Sequence, residues 1–184
     1  MGNITGNQDR PRFTSLADRT LDVNEDMKFQ GWTRDIQHGD VEGYAKMRLL
    51  MSYLMSVPGI PCVYYGDEIA DVGGNDPDNR RLMRFDNLND EEAQTRDWTS
   101  TWAALRRSRM SMLFGTTTFE IIDQDVLHIA RTYLGETTHV LLNRSDQNVD
   151  LADMPKQLGT LLAGYLSNEG MLPAHGAVAY ASED

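Results

Sequence analysis

The length, charge and cysteine content of this chain limit what it can be. With 184 residues it forms one large domain or two small ones, and it is long enough for a hydrophobic core. Its formal net charge of −11 argues against nucleic acids and anionic membranes as partners, because phosphate binding needs a basic surface. Cys62 is the only cysteine, so an intrachain disulfide is excluded. No stretch approaches the roughly 20 apolar residues of a membrane span.

The first forty residues are predicted to contain little regular structure. Residues 2–13 begin as a short extended segment that breaks into a polar turn. Residues 14–39 lack a clear apolar period, and Gln30–Trp32 is interpreted as part of a loop with one helical turn. Asp40 has a side chain suited to capping the start of a helix.

A helix and a strand are predicted next. After Asp40 the apolar residues recur at three- and four-residue steps, which indicates one apolar helical face made of Val41, Tyr44, Met47, Leu50, Met51 and Leu54. Residues 57–59 (Val-Pro-Gly) end this helix. Residues 60–65 form a continuous apolar run that is typical of a strand covered on both faces, as in a parallel sheet. We expect Cys62 to be buried in this strand.

The second half of the chain changes from helix to strand. Residues 66–96 are polar and loop-like, and Trp98–Leu113 is predicted to be a helix. Evenly spaced short strands separated by Asp, Asn and Gly turns then indicate an antiparallel sheet or sandwich, with strands at Thr116–Ile122, Val126–Tyr133, Thr137–Leu142, Gln147–Leu151, Leu158–Leu162 and Ala177–Ala181. The predicted domain boundary therefore lies between residues 114 and 115.

Two motifs follow the two predicted N-terminal strands. The first is the turn Asn7-Gln8-Asp9 with Arg10-Pro11-Arg12-Phe13 after it. A carboxylate flanked by amides at a strand end can bind sugar hydroxyls and stabilise an oxocarbenium-like transition state. Asn and Asp are also ordinary turn formers, so this motif alone leaves both interpretations open.

The second motif decides between them. Residues 59–68 read Gly-Ile-Pro-Cys-Val-Tyr-Tyr-Gly-Asp-Glu, and residues 73–83 begin Gly-Gly-Asn-Asp-Pro-Asp-Asn-Arg-Arg. Together with the first motif, in this order, they resemble the seventh and eighth strand ends of the α-amylase superfamily, nearest to its neopullulanase and cyclomaltodextrinase branch. The resemblance implies an α+β fragment: residues 1–114 form the last two β/α units of a TIM (β/α)8 barrel, and residues 115–184 an antiparallel β-sandwich C-terminal domain.

The resemblance also implies roles for five residues. Asp9 matches the family's transition-state stabiliser, and Asn7 and Gln8 would contact the sugar beside it, with Gln8 in a position where the family usually has histidine. Asp76 and Arg80 match the Asp-Pro-x-x-Arg loop that contacts glucose on the non-reducing side of the cleaved bond. A purely structural Asp–Arg pair that stiffens the loop is the alternative for these two residues.

Asp67 and Glu68 are expected to support the second strand end rather than take part in catalysis. The family's nucleophile and acid/base lie at the ends of the fourth and fifth strands. We expect those strands upstream of residue 1 in a longer protein, which would leave this chain inactive alone. We also expect the exposed barrel edges to favour a homo-oligomer.

The expected function is that of a glycoside hydrolase acting on α-glucans. The enzyme would cleave α-1,4 and also α-1,6 glucosidic bonds in maltodextrins, cyclodextrins or pullulan. The alternatives are a glucanotransferase and a non-catalytic glucan-binding or structural β module. For the β module, the relevant side chains are the aromatic residues of the tail, Phe119, Tyr133, Tyr165 and Tyr180.

No cofactor or metal site is expected in this chain. The four histidines are scattered without ligand spacing, although calcium is expected in some full-length relatives. The compartment stays open between the bacterial cytoplasm and the periplasm or exterior, because we expect the native N-terminus, with any signal, to be missing.

Overall fold

The computed structural model describes residues 1–151 and 159–182. The chain divides into two compact units, which we call the N-terminal unit (residues 1–50 and 60–99) and the C-terminal unit (residues 51–59 and those from 100 onward). The domain boundary that the sequence predicts after residue 114 stays a prediction.

The N-terminal unit contains a two-stranded parallel sheet. Strand β1 (Gly2–Ile4) pairs with β2 (Ile60–Cys62), with Gly2 opposite Ile60 and Ile4 opposite Cys62. Parallel pairing places the C-terminal ends of both strands at the same edge of the sheet. The turn after β1 and the loop after β2 therefore start side by side.

Three helices lie between these strands in sequence: α1 (Phe13–Ala17), α2 (Met27–Thr33) and α3 (Val41–Ser56). The prediction of little regular structure over residues 14–39 was wrong at α1 and α2, and Gln30–Trp32 lies within α2 rather than in a loop. The Asp26 side chain accepts hydrogen bonds from the backbone N–H groups of Lys28 and Phe29, which starts α2 without an apolar period. Asp40 Oδ1 accepts from the Glu42 N–H at 2.9 Å, which confirms the predicted cap of α3.

The predicted burial of the second strand was wrong. The strand ends at Cys62 rather than residue 65, Cys62 is exposed, and Ile60 has 67% of its surface exposed. Ile4 on the paired strand is 60% exposed as well. The reason is geometric, since a two-stranded sheet leaves its outer edges and one face without a covering layer. The homo-oligomer expected at these edges stays a prediction.

The helix predicted over Trp98–Leu113 is longer and broken. Helix α4 spans Asp90–Ser108, and α5 spans Met110–Phe114 after Arg109 adopts an extended backbone. No helix in the described part of the chain combines the length and the apolar character needed to cross a membrane.

The C-terminal unit is built on one antiparallel sheet. Its strand order is β3-β4-β5-β7-β6, from the strands β3 (Thr116–Asp123), β4 (Val126–Tyr133), β5 (Glu136–Asn143), β6 (Leu161–Gly164) and β7 (Ala177–Ala181). On one face a core cluster forms from Val126, Leu141, Leu172, Val178 and Tyr180. The sequence prediction of an antiparallel sheet is confirmed.

Some predictions for this sheet need correction or stay open. Gln147–Leu151 is not a strand, and only Val149 makes an isolated bridge, to Leu172. The strand predicted from Leu158 begins at Leu161, and residue 158 lies outside the described residues. The five described strands of the C-terminal unit form a single sheet, so the β-sandwich stays a prediction.

Two buried arginines bind the segment at residues 51–59 within the C-terminal unit. Arg106 donates to the carbonyl oxygens of Met55, Val57 and Gly59 at 2.5–2.9 Å. Arg131 Nη1 donates to the Ser56 carbonyl at 3.0 Å. These carbonyls belong to the end of α3 and the residues after it, where the backbone has no helical partners.

The start of α4 depends on a reciprocal capping arrangement. Asn89 Oδ1 accepts from the Glu92 N–H, and the Glu92 carboxylate accepts from the Asn89 N–H, both at 2.9 Å. Arg84 donates to the same carboxylate at 2.5 and 3.1 Å. Burial alone would raise the pKa of Glu92, but the hydrogen bonds from Arg84 and Asn89 outweigh it and hold this pKa below its ordinary value of 4.5.

We predict that Glu92→Gln lowers the free energy of unfolding near neutral pH by about 1–2 kcal/mol. A carboxyl with a lowered folded-state pKa adds stability above pH 4.5, and that stability is lost as the pH falls through the folded-state value. The variant should therefore lose less stability than the wild type on acidification. Urea unfolding at neutral pH and below pH 4.5 measures both effects. Asp97→Asn, an exposed carboxylate on the same helix, is the control, and equal pH profiles for wild type and Glu92→Gln would contradict the prediction.

Candidate functional site

The two strand-end segments of the N-terminal unit are joined by a buried ion pair. We call residues 5–12 after β1 the first turn, and residues 63–81 after β2 the second loop. Arg12 Nη1 lies 2.9 Å from Asp67 Oδ1, and their side chains are 2% and 1% exposed. The same guanidinium donates to the Tyr65 carbonyl at 2.6 Å and to the Asn79 carbonyl at 3.0 Å. One side chain of the first turn thus contacts three residues of the second loop.

The Asp67 carboxyl of the second loop contacts two residues of the first turn, Arg12 and Thr5. Burial raises the pKa of Asp67, while the charge and hydrogen bond of Arg12 and the hydroxyl of Thr5 act in the opposite direction. Thr5 Oγ1 donates to Asp67 Oδ2 at 3.2 Å. The neighbouring Glu68 accepts from the Gly66 N–H at 2.8 Å. These contacts agree with the expectation that the acidic pair supports the strand end.

Two tyrosine rings lie against the Arg12 guanidinium. Its central carbon is 4.4 Å from the ring centre of Tyr64 and 5.1 Å from that of Tyr65. The two rings meet edge to face at 4.7 Å. A cation over an aromatic face gains electrostatic attraction that grows as water is excluded. The rings therefore reinforce the ion pair beneath them.

Asn79 ties the backbone of the first turn to the second loop. Its side chain is fully buried, and Nδ2 donates to the carbonyl oxygens of Asn7 at 3.1 Å and Arg10 at 2.5 Å. These two carbonyls bracket Gln8 and Asp9. Because Asn79 directly precedes Arg80, the two predicted binding motifs are connected through one amide side chain.

The predicted catalytic side chain lies at the surface of this frame. Asp9 and Gln8 are exposed, and Asn7 is half-buried. The Asp9 N–H donates to Asn7 Oδ1 at 2.8 Å, which closes a local turn around the carboxylate. The backbone of Asp9 is thus fixed while its carboxylate remains accessible to a ligand.

Asp76 and Arg80 form an ion pair in the second loop, in which the Arg80 side chain is 48% and the Asp76 side chain 32% exposed. Lys28 Nζ lies 3.7 Å from the other Asp76 oxygen. The loop itself is stiffened elsewhere, since Asp78 accepts from the Gly74 N–H and from Arg81. The structural alternative for the Asp76–Arg80 pair stays open, because these neighbouring contacts stiffen the same loop.

The sequence patterns predicted the two motifs but not the residues that hold them together. It treated Arg12 only as part of a motif, and it gave Asn79 no role. A buried charge requires a partner. Asp67 could therefore be predicted as the partner of Arg12 only if the burial of Arg12 were known. The roles assigned to Asn7, Gln8, Asp9, Asp76 and Arg80 stay predictions.

No protein-family model matches the chain. It is 31% identical over 193 aligned residues to a cyclomaltodextrinase from Geobacillus thermopakistaniensis strain MAS1, covering 98% of this chain and 29% of that protein. It is 27% identical over 110 residues to a cyclomaltodextrin glucanotransferase from Bacillus sp. strain 1-1, covering 60% of this chain and 15% of that enzyme. An α-amylase crystal structure from Anoxybacillus matches with a TM-score of 0.71 at 30% identity, over 98% of this chain and 37% of that chain. The chain thus spans less than a third of the cyclomaltodextrinase.

We predict that Asn79→Asp lowers the free energy of unfolding by about 2–4 kcal/mol, because a carboxylate would replace a donor that faces two carbonyl oxygens. Urea unfolding measures this loss. Asn75→Asp is a matched control in the same loop, since Asn75 uses its side-chain oxygen as an acceptor from the Asp76 N–H and a carboxylate can do the same. Losses of similar size in both variants would refute the assigned role of Asn79.

Proposed function

We propose that this chain, which belongs to the α-amylase superfamily and corresponds to the C-terminal part of its cyclomaltodextrinase-like members, forms part of an enzyme that hydrolyses α-glucans. The observation that carries this proposal is the joining of two family motifs through Arg12, Asp67 and Asn79. They hold the accessible Asp9 carboxylate and the half-exposed Asp76–Arg80 pair on one rigid frame. Such a frame is what positioning of a sugar at a reacting centre requires.

Asp9 would act on the transition state of glycosidic cleavage. In that state the sugar ring flattens and gains oxocarbenium character, and hydrogen bonds to its hydroxyl groups strengthen. A carboxylate with a fixed backbone can accept such bonds without reorganising. Asn7 and Gln8 would position the same sugar through their amide groups. Gln8 donates as a neutral group. We therefore expect its side chain to make no contribution to the pH dependence of glucan binding.

Asp76 and Arg80 would hold a glucose unit on the non-reducing side of the cleaved bond. A guanidinium fork fixes orientation through paired hydrogen bonds, and the partner carboxylate accepts from hydroxyl groups. Because both side chains are partly exposed, they can exchange contacts with a ligand. The substrates would be maltodextrins, cyclodextrins or pullulan, cleaved at α-1,4 and also α-1,6 links. We propose no cofactor for the reaction, and any calcium site would belong to the full-length enzyme.

The nucleophile and the acid/base would come from another part of the full-length enzyme. Retaining hydrolysis needs two carboxyl groups about 5 Å apart that flank the glycosidic bond. Of the carboxylates in this chain, Asp9 is the one that matches a catalytic position of the family, and its role is that of the third carboxylate. We therefore propose that the 184-residue chain alone does not cleave glucans.

Transfer of the glucosyl group to another sugar is the second candidate function. Its support is the similarity to the cyclomaltodextrin glucanotransferase. Product analysis on the full-length enzyme separates the two, because transfer yields longer or cyclic glucans and hydrolysis yields new reducing ends.

The non-catalytic β module receives less support from the sheet. Tyr180 is 8% exposed, whereas Phe119 and Tyr165 are 54% and 55% exposed. Phe119 lies on β3 and Tyr165 directly follows β6, at opposite edges of the sheet. These two exposed rings therefore do not make one continuous platform.

We predict that Asp9→Asn in the full-length enzyme lowers the turnover of maltoheptaose by about a hundredfold to a thousandfold, because it removes a charge that acts on the transition state. Release of reducing sugar from maltoheptaose, β-cyclodextrin and pullulan is the measurement. Asp86→Asn, at an exposed aspartate of the same unit, is the control. The 184-residue chain alone should release nothing.

Near-normal turnover of Asp9→Asn would remove Asp9 from the active site. Release by the isolated chain that Asp9→Asn abolishes would mean that a complete catalytic set lies within these residues, and the proposed division of the active site would be wrong.

A further inference from the structure

We propose that helix α2 carries a second glucan-binding surface, in which Trp32 and Phe29 stack against glucose units beyond the one held by Asp76 and Arg80. This inference rests on the proposed function and extends it. It assigns to α2 the role of favouring longer α-glucans over shorter ones. We call Lys28, Phe29 and Trp32 the α2 platform.

The two aromatic side chains of the platform are open to solvent on the same short helix. Trp32 is 69% and Phe29 60% exposed, on a helix with no buried residue. Leaving large aromatic surface in water forgoes the free energy of burying it. Adjacent exposed aromatic groups are therefore a feature that a binding partner would explain.

The opposite side of α2 fixes it to the second loop. The Asn75 N–H donates to the Met27 carbonyl at 3.1 Å. Gly31 approaches the loop so closely that an added Cβ would lie 2.8 Å from the Cβ of Asp78. These contacts hold the helix as a rigid support, which is what a stacking surface needs to bind without a large loss of conformational entropy.

The platform begins at the proposed sugar-binding pair. Lys28 Nζ lies 3.7 Å from Asp76 Oδ2, and Asp76 pairs with Arg80. Residues advance by about 100° around a helix, so Trp32 lies about 40° from Lys28 and one turn further along. Phe29 is the next residue in sequence after Lys28. Starting from Asp76, the exposed surface therefore continues through Lys28 to the two aromatic rings.

The chemistry of this surface fits a neutral sugar chain. Each glucose ring has an apolar C–H face that packs on an aromatic ring and a polar edge that hydrogen-bonds to charged groups such as Lys28. Indole and phenyl groups offer large contact areas with few rotatable bonds. A patch of two aromatic side chains is small for a stable protein interface, which typically buries about 1,600 Å² in total. We therefore commit to an α-glucan as the ligand.

The platform should add affinity only for glucans long enough to reach it. We expect the 184-residue chain to bind maltoheptaose more tightly than maltotriose in isothermal titration calorimetry. Trp32→Ala should weaken maltoheptaose binding by about tenfold and leave maltotriose binding unchanged. Phe29→Ala should act in the same direction, and Trp32→Tyr should retain most of the affinity. Phe119→Ala, at an exposed aromatic residue of the C-terminal unit, should change neither value.

Tryptophan fluorescence gives an independent readout. Of the three tryptophans, Trp102 is fully buried, and half-buried Trp98 donates from its indole nitrogen to the Arg48 carbonyl at 3.0 Å. Quenching by iodide should therefore report mainly on Trp32. Maltoheptaose should protect the wild-type chain from iodide more than maltotriose does.

The outcomes separate this inference from the proposed function. If Arg80→Ala weakens both sugars while Trp32→Ala changes neither, the binding pair is supported and the platform is wrong. If the wild-type chain binds neither sugar, the platform proposal is wrong, whereas the proposed function is tested separately by the turnover of Asp9→Asn in the full-length enzyme. A self-association of the wild-type chain that Trp32→Ala abolishes, with sugar binding unaffected, would assign this surface to a protein contact instead.

Discussion

The buried pair of Arg12 and Asp67 is the interaction on which the candidate site depends. Removing two charges from water is costly, and a buried pair is tolerated only when the remaining hydrogen-bonding groups also find partners. Arg12 meets most of this requirement, since Nε and Nη1 donate to the carbonyls of Asn79 and Tyr65 and two tyrosine rings lie against the guanidinium, whereas Nη2 is buried without a hydrogen-bond partner. Either charge without the other would be buried and unpaired. The loss of either charge would therefore disrupt the connection between the turn after β1 and the loop after β2, rather than weaken it slightly.

In this frame, the residues that give structural support differ from those proposed to contact the substrate. The residues that connect the segments, Arg12, Asp67 and Asn79, are buried, whereas Asp9 is exposed and Arg80 is half-exposed. A functional side chain binds a ligand more effectively when its own position is set by neighbours that do not need to move. The same logic extends to α2, whose inner side packs on the loop while its aromatic side chains remain open. The proposed function of this unit thus depends on how firmly its loops are anchored.

The sequence predicted the elements whose signal is local. The apolar period of α3 with its Asp40 cap, and the strands β4 and β7, were found from residues close in the chain. Helix α2 was missed because its aromatic residues are exposed and give no buried face, and its Asp26 cap is a single weak signal. The burial of the second strand was wrong because apolar composition does not say whether a covering layer exists. Arg12 and Asn79 were missed because their hydrogen-bond partners lie 53 to 72 residues away in sequence.

The central claim is that Arg12 and Asp67 act as a unit, and a double-mutant cycle tests it most directly. Free energies of unfolding would be measured for wild type, Arg12→Met, Asp67→Asn and the double variant. Each single change should cost about 3–5 kcal/mol, because it leaves one buried group unpaired, and the double change should cost little more than either alone. Losses that simply add, or single losses below about 1 kcal/mol, would show that the two segments are held by something other than this pair.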